Sequence, residues 1–166
     1  MVLVGEQPGD QEDLQGRPFV GPAGRLLEEI LEEVGIERES VYLTNAVKHF
    51  SFERRGKWRI HKTPGITEVN ACQPWVNEEL RLIRPKVLVC LGATATRALL
   101  GLTVKVLRDR GRLLDSRWAQ CAVVTVHPSA VLRAPDETRG EMRAALTSDL
   151  LLAASVLERQ SVESMA

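Results

Sequence analysis

Apolar positions along this chain fall into two rhythms. Four short stretches are almost continuously apolar: Val2–Val4, Ser40–Val47, Lys86–Gly92 and Cys121–Val126. Runs of this kind mark strands of a parallel sheet buried on both faces, with Lys86–Gly92 a central member. Between them, apolar residues recur three and four apart. Leu26, Leu27, Ile30, Leu31 and Val34 line one helical face opposite Glu28, Glu29, Glu32 and Glu33. Pro22 suits the first turn of that helix and Gly35 stops it. A second helix is predicted over Thr67–Ile83, with Thr67 as its N-cap and Pro74 either kinking it or delaying its start. Ala93–Leu100 reads as a short helix, and a helix over Gly140–Leu157 closes the fold. Lys105–Asp115 reads as a short strand or hairpin, with a turn near Ser116. Strand, loop, helix and strand over the first 47 residues make a βαβ unit with a right-handed crossover. The fold class is therefore α/β, one domain over residues 1–160, with 161–166 expected as a frayed tail.

Composition narrows the picture only slightly. A chain of 166 residues with 44% apolar content is long enough to bury a core. No apolar run approaches the ~20 residues that span a bilayer, so no membrane partner is expected. Met1 leads directly into the first strand, which leaves no room for a leader and makes the cytoplasm the expected compartment. Lys plus Arg and Asp plus Glu both total 22, so net charge does not advertise a nucleic-acid partner. Cys72, Cys90 and Cys121 are too few and too scattered for a disulfide framework.

Candidate chemistry sits after the strands. Glu6 and Gln7 follow the first strand, ahead of a Pro8-Gly9 turn and the acids Asp10, Glu12 and Asp13. A carboxylate at the carboxyl end of a parallel strand is placed for general-base or electrostatic work; a surface turn with solvated acids is the equal alternative. Asn45 ends the second strand. His127-Pro-Ser129 ends the strand Cys121–Val126, on the same sheet edge as Glu6. Lys48–Lys62 breaks the alternation: six of its fifteen residues are Lys or Arg, against one acid, Glu53. Phe50, Phe52 and Trp58 are interleaved with these cations, along with His49 and His61. With no convincing periodicity it reads as an excursion from the sheet. Such a mixture suits a nucleic-acid strand, charges meeting phosphates and rings meeting bases; a solvated basic loop is the plainer reading.

Taken in order, Gly5-Glu-Gln-Pro-Gly-Asp10, Gly16–Gly24 with Phe19, Thr44-Asn-Ala-Val-Lys48 and Val126-His-Pro-Ser129 resemble the motifs of the uracil-DNA glycosylase superfamily, nearest its family 4. Lys57-Trp-Arg-Ile-His61 resembles the Lys-Arg-Arg-Ile-His loop of the UdgX type, which bonds covalently to uracil-containing DNA; Trp58 departs from that pattern. The similarity runs from Val4 to about Leu152.

The resemblance implies a three-layer αβα sandwich around a four-stranded parallel sheet, acting as a monomer on uracil-containing DNA, single strands preferred. It implies catalytic roles for Glu6, His61 and His127. In that scheme Phe19 stacks on the flipped uracil and Asn45 reads its edge, while Gln7, Asp10 and Ser129 shape the substrate pocket. Lys57, Arg59 and Lys62 would meet DNA. It also implies a [4Fe-4S] cluster, with His49 and Cys72 matching two ligands and the other two belonging to a Cys-x-x-Cys segment ahead of Val2 that this chain does not contain. Without the resemblance, Cys72 reads as a core cysteine on a helix face. Two alternatives stand beside covalent trapping: an ordinary glycosylase that turns over, and a non-catalytic single-strand-binding module.

Overall fold

The structure is a computed structural model that describes residues 1–163. Strands β1 (Val2–Gly5), β2 (Tyr42–Asn45), β5 (Val87–Leu91) and β6 (Cys121–Thr125) form one parallel sheet in the order β2-β1-β5-β6. A separate two-stranded antiparallel ribbon is made by β3 (Phe52–Arg55) and β4 (Trp58–His61). The helices are α1 (Asp10–Gln15), α2 (Pro22–Glu33), α3 (Ile66–Ile83), α4 (Ala93–Leu100), α5 (Val106–Asp109), α6 (Pro128–Arg133) and α7 (Asp136–Glu163).

The strands alternate their side chains between two cores, as the pleat requires. Leu3, Val89 and Val123 point to one face, where Leu27 and Ile30 of α2 and Leu146 and Leu150 of α7 cover them. Val2, Val4, Leu88, Cys90 and Val124 point to the other, under Val76 and Leu80 of α3 and Ala95 and Leu99 of α4. Helices on both faces give the expected three-layer sandwich. Each fully buried Leu, Ile or Val contributes about 1.5–3 kcal/mol.

Several expectations give way to local physics. Lys48–Lys62 contains the ribbon of β3 and β4, which no alternation announced because nearly all of its side chains reach solvent. Lys105–Asp115 holds the helix α5, and only Leu114 pairs as a strand, bridging to Ala122. Gly65, not Thr67, caps α3, with Glu68 reaching back to the Gly65 N–H, and the helix continues through Pro74. The closing helix begins at Asp136 rather than Gly140. Of the tail expected to fray, 161–163 continue α7, and 164–166 lie outside the described residues. No described helix is long and apolar enough to cross a membrane.

Candidate active site

The carboxyl ends of the parallel strands open into a cavity of about 770 Å³ whose lining includes Glu6, Gln7, Phe19, Asn45, His61, His127 and Ser129. Strand register sets its floor, since Gly5 of β1 lies beside Asn45 of β2. A Cβ on Gly5 would fall 2.4 Å from Asn45 Oδ1 and 2.8 Å from Phe19 Cζ, so only glycine lets both side chains approach this backbone. The Phe19 loop is held as tightly. A Cβ on Gly24 would fall 1.7 Å from the Phe19 carbonyl oxygen, and Phe19 itself has φ +59°. Glu12 helps to fasten this loop. Burial pushes its carboxyl up, while N–H groups of Gly9, Phe19 and Gly21 pull it back down. Asn45 is 5% exposed and lines the cavity.

His127 caps α6, and its Nδ1 accepts from the Ser129 N–H at 3.1 Å. The Ser129 hydroxyl lies 2.8 Å from the same nitrogen. With Nδ1 an acceptor, the ring proton is on Nε2. Burial, reinforced by Arg133 and His61, pushes the His127 pKa down to about 4, so the ring is neutral near pH 7. Its ring lies 6.0 Å from that of Phe19, at 25°.

Glu6 and His61 meet across the cavity. His61 Nε2 is 3.3 Å from Glu6 Oε1, and Glu6 Oε2 accepts from the Thr94 hydroxyl at 2.5 Å. His61 is 49% exposed in its side chain and reaches the site because its ribbon is clamped there. Gln7 Nε2 donates to the carbonyls of Ser51 and Lys62, each at 3.1 Å. Its Oε1 accepts from the Ser51 N–H, also at 3.1 Å. Arg59 adds a second fastening, to Asp10 at 2.5 Å and Asp13 at 2.7 Å, with its guanidinium over the rings of Phe50 and Phe52.

The structure adds contacts to three of the sequence assignments. Gln7 borders the cavity, but its amide is satisfied by the ribbon backbone and is not free for a substrate. Asp10 is absent from the cavity lining and holds Arg59. Arg59, expected to meet DNA, is held in this structure by two carboxylates and two rings, which suit its flat cation. Lys57 and Lys62 remain exposed. Sequence reading missed Thr94 and named Glu12 and Asp13 only as acids of the loop. Thr94 left a signal, two residues past the Gly92 that ends an apolar strand.

His49 and Cys72 do come together, with Cys72 Sγ 3.7 Å from His49 Nδ1. Cys72 also accepts from the Lys48 N–H at 3.3 Å and packs among Val47 and Val69. A cubane cluster needs four ligands. Among the described residues, no group of three or more His, Cys, Asp or Glu is gathered for a metal. The residues described do not by themselves fit the [4Fe-4S] cluster that the resemblance implied.

Comparison with known proteins follows the same geometry. Residues 1–151 match the Uracil DNA glycosylase superfamily. The type-4 uracil-DNA glycosylase of Thermotoga maritima is 38% identical over 161 residues, covering 96% of this chain and 79% of that protein. That of Pyrobaculum aerophilum is 38% identical over 150 residues, covering 86% and 72%. That of Archaeoglobus fulgidus is 39% identical over 142 residues, covering 81% and 68%. The crystal structure of Pedobacter heparinus SMUG2 superposes with a TM-score of 0.60 at 11% identity, covering 93% of this chain and 75% of that one, a likeness of fold.

Proposed function

This chain belongs to the Uracil DNA glycosylase superfamily, and from that premise we propose that it excises uracil from DNA as a step of base-excision repair. The observation that carries this reading is the Asn45 amide, which shares one cavity with the Phe19 ring and a neutral His127. A flipped base needs a ring to stack on and a donor–acceptor pair for its edge. Phe19 supplies the ring, and the Asn45 amide supplies both a donor and an acceptor. Breaking the glycosidic bond moves charge onto uracil O2. The His127 Nε2–H, its tautomer held by Ser129, stabilises that charge without a prior proton transfer. Single-stranded uracil DNA is the preferred substrate, since no pairing is broken there. Lys57 and Lys62 meet its phosphates.

The cleaved sugar is oxocarbenium-like, and two captors of C1′ are available. Water gives ordinary turnover. The second reading, of the UdgX type, is favoured by the contact between His61 and Glu6. In it a neutral imidazole gives its lone pair to C1′, forming an N–C1′ bond in place of the N-glycosidic bond. The resulting imidazolium then loses its remaining N–H proton, for which the Glu6 carboxylate is the acceptor at hand.

Denaturing gel electrophoresis after incubation with a uracil oligonucleotide tests both levels. Abasic product or a heat-stable protein–DNA band is expected with uracil and not with cytosine or thymine. Neither species would overturn excision in favour of a binding module. His61→Ala is expected to remove the heat-stable band while excision continues. An adduct surviving in His61→Ala would overturn His61 as the captor, and product without any band in the unaltered protein would leave water as the captor.

A further inference from the structure

Behind the contact between Glu6 and His61 lies a hydroxyl that the reading above leaves without a task. Thr94 is 3% exposed, and its side chain donates to Glu6 Oε2 at 2.5 Å. Donation runs in that direction because an ionised carboxylate only accepts. The other carboxylate oxygen, Oε1, is the one 3.3 Å from His61 Nε2. Thr94 itself does not border the cavity, although its neighbours Gly92 and Ala93 do. Glu6 and Thr94 meet because β1 and β5 are adjacent parallel strands, and each residue follows the end of one of them.

Thr94 is mounted more firmly than the carboxylate it holds. It is the second residue of α4, which opens at Gly92 with φ +87°. The Gly92 N–H donates to the Thr125 carbonyl at 2.9 Å, which ties this turn to β6, and a Cβ on Gly92 would fall 3.1 Å from that of His127. A β-branched side chain in a helix has few χ1 rotamers, so the hydroxyl has little freedom of its own. Glu6 is fixed at its backbone, where its carbonyl accepts from the Val47 N–H at 2.9 Å. Its side chain is long, flexible and 24% exposed, so nothing in its backbone decides where the carboxylate points.

We propose that Thr94 is a positioning residue that holds the Glu6 carboxylate with Oε1 turned toward the group that captures C1′. The proposal rests on the reading of the cavity as a uracil site. Capture forms a bond from C1′ to a water oxygen or to a His61 nitrogen. The N-glycosidic bond breaks, and uracil leaves with its electron pair. Either captor then gives up a proton, and Glu6 Oε1 accepts it. A carboxylate free to turn offers that oxygen for only part of the time. With Oε2 held by Thr94, Oε1 stays aimed at the captor, and fixed orientation of this kind acts on rate. Thr94 touches neither base nor sugar, so its removal leaves binding of the DNA unchanged.

The test measures single-turnover conversion of a uracil oligonucleotide across a range of protein concentrations, counting abasic product and heat-stable band together. It compares the unaltered protein with Thr94→Val, Thr94→Ala and Thr94→Ser. Valine keeps the branched shape without the hydroxyl, alanine removes the hydroxyl in a smaller side chain, and serine keeps it. Thr94→Val and Thr94→Ala are expected to lose roughly ten- to a hundredfold in maximal rate, with the half-saturating concentration within about twofold. Thr94→Ser is expected to retain most of the rate. In a Glu6→Ala background, Thr94→Val should change the residual rate by less than about twofold, since the group it acts through is gone. A rise in half-saturating concentration that accounts for the loss would overturn the proposal by placing Thr94 in binding. Equal losses in the serine and valine variants would overturn it by assigning the effect to packing, and a further tenfold fall in the Glu6→Ala background would place its target elsewhere. If Glu6→Ala has no measurable rate, the contrast between serine and valine decides. An active protein indifferent to Thr94→Val removes the proposal alone; an unaltered protein that neither excises nor cross-links removes the uracil site as well.

Discussion

The parallel sheet and the antiparallel ribbon each place a histidine in the same cavity, by opposite means. His127 stands at the end of β6, whose last four residues are fully buried, and inherits its position from a core packed on both sides. His61 ends β4, most of which is exposed, and arrives from outside the sheet. Polar fastenings hold it: the Gln7 amide on the ribbon's base, and Arg59 on Asp10 and Asp13. Apolar burial is non-directional and insensitive to salt, whereas hydrogen bonds and ion pairs are directional and weakened by it. On the proposed function, base recognition and departure would stand on the rigid part, and capture of the sugar on a part that can be loosened separately.

Substitutions on the sheet side have the largest expected effect. His127→Ala removes the donor to uracil O2, and single-turnover excision should fall by about 10²–10³-fold. A loss below about tenfold would show that the departing base is stabilised elsewhere.

Acid separates the two regions next. Burial holds the His127 pKa at about 4, against an ordinary 6.5, so between those values the unfolded chain takes up a proton that the folded one refuses. The contribution is fully present above pH 6.5 and is lost as pH falls toward 4, at up to ~1.4 kcal/mol per pH unit. Urea unfolding at pH 7 and pH 5 should show this decline, and His127→Gln should flatten it. An undiminished slope in that variant would assign the acid sensitivity to other groups.

Gln7→Ala tests the ribbon's main fastening. It removes three hydrogen bonds and leaves the Ser51 N–H without its partner, a local cost of about 1–3 kcal/mol. Amide exchange in β3 and β4 should accelerate, and the heat-stable band should weaken about tenfold more than excision does. Parallel losses of band and excision would mean that Gln7 serves the whole cavity rather than the ribbon.

The smallest effect belongs to the Arg59 latch. Arg59→Ala, or high salt on the unaltered protein, should loosen the ribbon only slightly, since these ion pairs are partly solvated. Exchange in β4 that is indifferent to salt would leave the ring contacts with Phe50 and Phe52, not the ion pairs, as the relevant hold.

Much of this architecture is decided locally. A strand buried on both faces must be apolar throughout, and a helix lying on a sheet must be apolar along one stripe, so β1, β5, β6, α2 and α4 are visible in the order of residues alone. The same holds for the placing of Glu6, Asn45 and His127, because every strand of a parallel sheet ends at one edge. The ribbon obeys no such rule. With both faces near solvent its side chains are free of any periodic constraint, and only tertiary structure shows Phe52 opposite His61. The roles of Gln7 and Arg59 are likewise invisible in one dimension, since their partners lie 44 to 55 and 46 to 49 residues away. A polar side chain is equally at home in water, in a substrate's grip or in a backbone clamp. Which of these it occupies is decided by what the rest of the chain brings within about 3 Å of it, and no pattern of neighbours in sequence carries that information.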